Sequence, residues 1–94
     1  MTKVIDWSHR FKRDYKRESK TFGKHPLEEM CTDCFGYLVE GLDLPERYKD
    51  HSLAGEWEGC RECHIKPDLL LIYETSDEVV TLYRLGSHSE LFGG

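Results

Sequence analysis

The spacing of apolar residues changes near residue 44 and divides the chain into a helical half and a strand-rich half. Residues 3–7 (KVIDW) contain Val4 and Ile5 and predict a first strand. Ser8 follows as a good helix N-cap residue, and Gly23 is typical of a helix end. Aromatic residues recur at helical spacing from Trp7, just before Ser8, to Phe22, just before Gly23: Trp7, Phe11, Tyr15 and Phe22. The pattern predicts a strand followed by one amphipathic helix.

A second helix is predicted from Pro26, which suits the first helical position, to the region of Gly41. Glu28 and Glu29 favour its start because acidic side chains are stabilised at the positive end of the helix dipole. Its apolar stripe consists of Leu27, Met30, Cys31, Cys34, Leu38 and Leu42. The short connection between the two helices predicts an antiparallel pair.

The second half of the chain is predicted to form a loop and several strands. A short strand is expected within residues 49–53, and longer ones at residues 56–65, 69–74 and 79–85, separated by turn residues. The run LLLIY at 69–73 is apolar on both faces and favours a central position, whereas the tail GSHSELFGG predicts a turn and a short terminal segment. We expect one domain over residues 1–94, an α+β fold with an N-terminal strand and a helical hairpin on a mostly antiparallel four- to five-stranded sheet.

Length and composition limit the location and the partners. No run approaches the roughly 20 apolar residues of a membrane span, and the first ten residues lack the apolar core of a signal peptide. We therefore expect a cytoplasmic protein without membrane contact, in which the thiols stay reduced.

The net charge of −5 is unevenly distributed. Residues 1–25 carry eight lysines and arginines against three acidic residues, whereas residues 26–94 carry five against fifteen. An acidic chain does not bind nucleic acid over its whole surface. The basic residues of the first helix, which include Lys12, Arg13 and Lys16, leave room for one phosphate-facing patch, although a solvated helix face explains them as well.

Two C-x-x-C pairs, Cys31/Cys34 and Cys60/Cys63, raise the question of a zinc site. The first pair falls within the apolar stripe of the second helix, where a cysteine serves as a small hydrophobic residue. The second pair is three residues apart in a predicted strand, so its side chains point to opposite faces. We expect packing cysteines and no metal or other cofactor, with a zinc-stabilised interaction module as the alternative.

The residues around the second pair offer acid–base chemistry. In a strand over 56–65, alternation places Trp57, Arg61, Cys63 and Ile65 on one face and Glu58, Cys60, Glu62 and His64 on the other. If the helices cover the first face, Glu62 and His64 look into the open one, where His51, Asp68 and His88 from other segments can join them. Arg61 fits the covered face poorly unless it lies near an edge.

Such a group suits transesterification in RNA. A neutral imidazole takes the proton of a ribose 2′-hydroxyl, and a protonated one gives a proton to the leaving 5′-oxygen. Arg61 or Arg84 can stabilise the phosphate charge of the transition state. Taken singly, each histidine is more often an ordinary residue, and we assign His9 and His25 to that class.

At these residues the sequence resembles the YafQ branch of the RelE/ParE superfamily of type II toxin–antitoxin toxins. The resemblance is carried by LPERYKDHSLAGEWEGCRECHIKPDLLLIYE and LYRLGSHSELFG, which cover nearly all of residues 44–93. Residues 1–43 match only in pattern. The elements K-D-H-x-L-x-G-x-W, R-x-x-H-x-x-P-D and G-x-H-x-x-L-F are specific in combination.

The resemblance implies a RelE-like fold and a ribosome-dependent endoribonuclease, an mRNA interferase that cuts mRNA in the A site. It also implies inhibition by a cognate antitoxin of the DinJ type, a ribbon-helix-helix protein, and contact with operator DNA only through that antitoxin. A gyrase-poisoning relative of the ParE kind has no need of this histidine set. The remaining alternative is a degenerate toxin that binds its antitoxin without cleaving RNA.

The resemblance also implies residue roles. His51, His64, Asp68 and His88 match the catalytic positions of the family, with His51 as base, His88 as acid, and the other two orienting and stabilising. Glu62 stands where a near relative has Asp, and Phe92 matches a terminal aromatic residue that supports activity. Arg61 and Arg84 match basic positions near the site. One departure is the acidic net charge, because toxins that dock on ribosomal RNA are usually basic.

Overall fold

The computed structural model describes residues 2–93. Its elements are β1 (Val4–Trp7), α1 (His9–Phe22), α2 (Lys24–Val39), β2 (His51–Ser52), β3 (Arg61–Lys66), β4 (Leu69–Thr75), β5 (Val79–Gly86) and α3 (His88–Phe92), with single 3-10 turns at Glu46–Tyr48 and Gly55–Trp57. The strands form one five-stranded sheet in the order β1-β5-β4-β3-β2. Only β1 and β5 pair in parallel; the other three pairs are antiparallel. The predicted α+β fold is confirmed.

The helical hairpin turns at one glycine. Ser8 caps α1 by accepting a hydrogen bond from the Phe11 amide, as predicted. Gly23 has φ +93° and is both the last cap of α1 and the first cap of α2, a conformation that favours a residue without Cβ. The prediction that α2 begins at Pro26 was wrong: the helix begins at Lys24, and Pro26 lies in its first turn, where no helical N–H is needed.

The helices cover one face of the sheet, which we call the helix-side face. The start of α1 lies beside the end of α2, with the Phe11 and Phe35 rings 6.3 Å apart, so the predicted antiparallel pairing is confirmed. Phe11, Leu27 and Cys34 from the helices meet Cys63 and Leu71 from the sheet in the main core. β4 is the middle strand, and its residues 69–73 are all buried, as the LLLIY run predicted.

The opposite face, which we call the α3 face, is partly covered by a second core. Cys60, Leu70, Ile72 and Leu91 are buried there, with Leu53, Trp57 and Tyr83 packed against them. The tail was predicted as a turn and a short terminal segment; that segment, residues 88–92, is the helix α3, and its Leu91 packs on this face. The face expected to be open from the sequence is therefore partly covered by α3 and this second core.

The strand predicted for residues 56–65 is shorter than expected. The chain forms a 3-10 turn at Gly55–Trp57 and has φ +92° at Gly59, so β3 begins only at Arg61. Alternation is correct within β3, since Cys63 faces the helices and Glu62 is the strand partner of Ile72 on the α3 face. The prediction for Trp57 was wrong, because the turn moves its side chain to the α3 face.

Candidate active site

Glu62 is at the centre of a cluster of titratable side chains on the α3 face. It is only 5 % exposed. Its Oε1 atom lies 3.3 Å from Nε2 of His51 and 3.7 Å from Nε2 of His64. The sheet produces this arrangement because His51 is the direct strand partner of Glu62, and His64 is two residues further on the same face. Three of the residues predicted for the site are thus brought together.

The other ring nitrogen of each histidine faces a carbonyl oxygen. Nδ1 of His51 is 2.8 Å from the oxygen of Lys49, and Nδ1 of His64 is 3.3 Å from that of Pro67. A carbonyl oxygen only accepts hydrogen bonds, so we assign Nδ1 as a hydrogen-bond donor in both rings. The Glu62 carboxylate also only accepts hydrogen bonds, so it contacts an Nε2–H group when the ring is protonated. When the ring is neutral with its proton on Nδ1, Nε2 carries the lone pair that a general base at this position requires.

His88 and Phe92 come to the same face through α3. Leu70 on β4 pairs with His64 on one side and with Gly86 on the other, so the end of β5 lies two strands from His64, about 10 Å at the usual spacing. His88 begins α3 just after Gly86, and its ring is 5.0 Å from that of Phe92. Both side chains are exposed.

α3 is held in place by contacts that the sequence analysis missed. Ser87 and Glu90 form a capping box, in which the Ser87 hydroxyl accepts from the Glu90 amide and the Glu90 carboxylate accepts from the Ser87 amide. Glu90 also pairs with Arg17 of α1 at 3.0 Å. The S-x-x-E spacing in GSHSELFGG was a visible sign of this helix.

Asp68 lies at the exposed turn between β3 and β4, directly after the carbonyl that orients His64. It lines a broad cavity of about 720 Å³ together with the end of α1 at Phe22 and the start of α3 at Ser87 and Glu90. The structure therefore places Asp68 near the start of α3.

Arg61 is not brought to the histidines. It faces the helix side on β3, the strand next to the edge strand β2, and its Nε and one terminal nitrogen each lie 3.0 Å from Oδ2 of Asp50. Its strand partner Tyr73 donates to the other carboxylate oxygen of Asp50. Burial and this hydrogen bond raise the pKa of Tyr73, so its hydroxyl remains a donor.

Arg84 is held by a buried carboxylate of α1. Its Nε donates to Asp14 at 2.6 Å, and the Leu85 amide and Arg17 also donate to this carboxylate. Burial alone raises the pKa of Asp14, but the hydrogen bonds from Arg84, Leu85 and Arg17 outweigh it and hold the pKa below its usual value. The helical pattern did not reveal this pairing, because Arg84 is 70 residues away from Asp14 in the chain.

Basic residues of α1 lie close to Arg84. Lys12, Arg13 and Lys16 are exposed, as predicted for the polar face. Arg13 lines a cavity of about 380 Å³ whose other residues are Arg10, Asp14, Arg17 and Arg84. This cavity is cationic, since four of its five lining residues are arginines.

The four cysteines occupy packing positions. Cys60 lies in the core of the α3 face and Cys63 in the main core, so the predicted separation of this pair is confirmed. Sγ of Cys63 is 3.7 Å from Sγ of Cys34, and both side chains are fully buried. Burial raises the pKa of Cys31 to about 12. Within residues 2–93, no three His, Cys, Asp or Glu side chains are grouped so that they could hold a metal ion.

These features define a class: a small α+β protein with a helical hairpin on one sheet face and an imidazole–carboxylate cluster on the other. The family described as "Bacterial toxin of type II toxin-antitoxin system, YafQ" matches residues 3–93. The chain belongs to this family of toxins, and the resemblance seen in the sequence is confirmed.

Three relatives illustrate the match. The mRNA interferase toxin YafQ of Escherichia coli K12 is 36 % identical over 90 residues, which cover 95 % of each chain. The toxin in the crystal structure of the E. coli DinJ-YafQ toxin-antitoxin complex is 34 % identical, with a TM-score of 0.84 over 99 % of this chain and 100 % of that one. A metal-bound toxin from Helicobacter pylori is 39 % identical, with a TM-score of 0.85 over 98 % of this chain and 100 % of that one.

Within the described residues, no helix is long and apolar enough to cross a membrane.

Proposed function

We propose that this protein is an mRNA interferase, a toxin that arrests translation by cutting mRNA in the ribosomal A site. The observation that carries the proposal is the buried carboxylate of Glu62 between the Nε2 atoms of His51 and His64, on a YafQ-family fold. The curated E. coli relative is named an mRNA interferase, and its name supports the same activity.

The proposed reaction is an internal transesterification. Nε2 of His51 takes the proton of the ribose 2′-hydroxyl, and the 2′-oxygen forms a bond to the phosphorus. The bond from phosphorus to the 5′-oxygen breaks, and His88 gives a proton to that oxygen. The products are a 2′,3′-cyclic phosphate and a free 5′-hydroxyl. Each positioned acid or base of this kind typically contributes about 10²–10⁴-fold.

The remaining residues orient the catalytic histidines, support the site or stabilise the charge of the phosphate. Glu62 orients both imidazoles, His64 and Asp68 stabilise the β3–β4 end of the site, and Phe92 packs beside His88 at 5.0 Å between ring centres. Arg84 is the cation proposed to stabilise the phosphate charge. Arg61 is a weaker candidate for phosphate contact, because it faces the helix side, opposite to Glu62; both arginines are paired with a carboxylate, Arg61 with Asp50 and Arg84 with Asp14.

The proposed partners are the ribosome, its mRNA and an antitoxin. Docking on ribosomal RNA uses the exposed cations of α1, including Lys12, Arg13 and Lys16, and it places the protein in the cytoplasm. The E. coli relative was crystallised with DinJ, which supports a DinJ-like ribbon-helix-helix antitoxin. Operator DNA is then contacted only through the antitoxin.

The decisive experiment combines expression of the chain in cells with an assay of mRNA cleavage on programmed ribosomes. Induction of the wild-type chain without its antitoxin should stop translation, and purified protein should cut mRNA on programmed ribosomes to leave a 2′,3′-cyclic phosphate. His88→Ala should relieve both effects, whereas the exposed His25→Ala should not. Protein that has been treated with EDTA and dialysed before it is added to the ribosomes should still cleave, a relevant control because the H. pylori relative is metal-bound. A harmless wild-type chain that leaves the mRNA intact would overturn the proposal.

A second candidate is a degenerate toxin that binds its antitoxin but does not cleave RNA. The net charge of −5 favours this candidate, since RNA repels an acidic protein. Tight antitoxin binding without cleavage in the same assay would select it.

A further inference from the structure

His51 is on a strand too short to hold it alone. β2 has two residues, both exposed, and lies at the edge of the sheet. It pairs only with β3, through His51 with Glu62 and Ser52 with Arg61. A two-residue edge strand frays readily because few hydrogen bonds and no buried side chain oppose its opening. A residue that acts as a base needs a firmer position.

The residue before His51 supplies a firm position. Both oxygens of the Asp50 carboxylate are bound: Oδ2 accepts from Arg61 on β3, with both nitrogen distances 3.0 Å, and Oδ1 accepts from Tyr73 on β4. Tyr73 is 2 % exposed and belongs to the main core. Asp50 is thereby tied, on the helix-side face, to the two strands that follow β2 in the sheet.

This tie reaches the His51 ring through one peptide group. The carbonyl oxygen that accepts from Nδ1 of His51, at 2.8 Å, is that of Lys49, and it belongs to the peptide bond that joins Lys49 to Asp50. Lys49 has φ +50°, a left-handed conformation that turns this peptide group toward the ring. If the Asp50 carboxylate were released, the peptide group would lose its fixed direction, and the hydrogen bond that selects the His51 tautomer would weaken.

We propose that Asp50 is a positioning residue, held by Arg61 and Tyr73, that fixes the ring direction and the Nδ1–H tautomer of His51 from the opposite face of the sheet. The proposal rests on the proposed function in assigning His51 as the base. It gives Arg61 a role through Asp50 and not through contact with RNA.

The first test reads the tautomer directly and does not involve RNA. Nitrogen-15 spectra of the histidine rings, recorded above the pH at which imidazole is protonated, should show neutral His51 with its proton on Nδ1. Asp50→Asn and Tyr73→Phe should move the His51 resonances toward the Nε2–H form that free histidine prefers. The His88 resonances, and the amide signals away from residues 49–52, 61 and 73, should not change. Asp77→Asn, at the exposed β4–β5 turn, removes the same charge and should leave His51 unaltered.

The second test measures cleavage on ribosomes. Asp50→Asn and Tyr73→Phe should lower kcat by about tenfold to 10²-fold at unchanged KM, as expected for a misdirected catalytic group. Arg61→Ala should act in the same way. An increase in KM for Arg61→Ala, with kcat unchanged, would show that this side chain binds RNA and would overturn the proposal.

The two tests separate the possible failures. If the His51 resonances do not respond to Asp50→Asn or Tyr73→Phe in folded protein, the positioning role is wrong whether or not the chain cleaves RNA. If they respond but the wild-type chain is inactive, the proposed function fails and the coupling of Asp50 to His51 remains. Tyr73→Phe retains the core side chain, so it serves if Asp50→Asn does not fold.

Discussion

Glu62 and His51 face each other across the β2–β3 pair, with Oε1 of the carboxylate 3.3 Å from Nε2 of the imidazole. Glu62 is buried, whereas His51 is exposed at the sheet edge, so the carboxylate is the fixed partner and the imidazole is the one that meets substrate. This relationship links a core position of the sheet to the proposed reaction.

Glu62→Gln should therefore reduce cleavage more than it reduces stability. The amide keeps the shape of the side chain but can no longer orient two imidazoles as a carboxylate does, and a loss on the order of 10²-fold in kcat is expected. Single-turnover cleavage on ribosomes measures it. Glu58→Gln, in the exposed loop before β3, makes the same change in charge and should leave the rate unaltered. Equal losses for the two variants would contradict the role of Glu62.

Asp14 should make the protein sensitive to acid. Its carboxyl has a pKa below the usual value of roughly 3.9, because hydrogen bonds from Arg84, Leu85 and Arg17 outweigh the effect of burial. A depressed pKa stabilises the fold above that usual value, and this stability is lost as the pH falls through the lower pKa of the folded state. Asp14→Asn should cost about 1.5–3 kcal/mol at pH 7.

The cost of Asp14→Asn should shrink as the pH falls below about 4. Denaturant unfolding at several pH values measures this trend. Asp6→Asn, an exposed residue of β1, provides the control and should show a far smaller cost at pH 7. A cost for Asp14→Asn that is the same at pH 7 and at pH 3 would refute the assignment.

Ser87→Ala should loosen α3 without unfolding the sheet. Loss of the N-cap hydroxyl removes its hydrogen bond with the Glu90 amide and costs about 1 kcal/mol. Because His88 and Phe92 are on α3, cleavage should fall while KM stays constant, and amide exchange should become faster in residues 88–92. Ser89→Ala is the control: this serine lies two residues after Ser87 in α3, and its side chain is not the helix cap, so the change should alter neither measurement.

The cations of α1 should decide ribosome binding. Lys16→Glu should weaken binding and reduce its dependence on salt, since fewer counterions are released when one phosphate contact is lost. Lys24→Glu, at the start of α2, changes the net charge equally and should have less effect. The triple reversal of Lys12, Arg13 and Lys16 should abolish docking. Unchanged ribosome binding by the triple variant would move the docking surface away from α1.

Metal removal should leave the fold intact. Cys60 lies in the second core, on the α3 face, whereas Cys31, Cys34 and Cys63 lie in the main core. A structural zinc site contributes on the order of 10 kcal/mol, so its removal would unfold a domain of this size. The melting temperature with and without EDTA, together with elemental analysis, tests this point. A large fall in EDTA would restore the zinc-stabilised alternative.

The sequence by itself determined the order of the elements and most of their residues. Ser8, Gly23 and the LLLIY run act through local rules, since capping, left-handed turns and two-sided burial depend on near neighbours in the chain. For the same reason, the opposite directions of Cys60 and Cys63 were predictable. The pattern also suggested that His51, His64 and His88 form one group, and the resemblance to the YafQ branch supported that group.

Tertiary structure decided what local rules cannot see. The approach of Glu62 to His51 depends on the register of β2 against β3, and the burial of Asp14 depends on Arg84, which is 70 residues away in the chain. Strand alternation had placed Arg61 on the face opposite to Glu62 and His64, but its partner on that face, Asp50, is known only from the tertiary structure. Such pairs join residues on different elements, and only packing of the helices, the sheet and α3 brings them within hydrogen-bond distance.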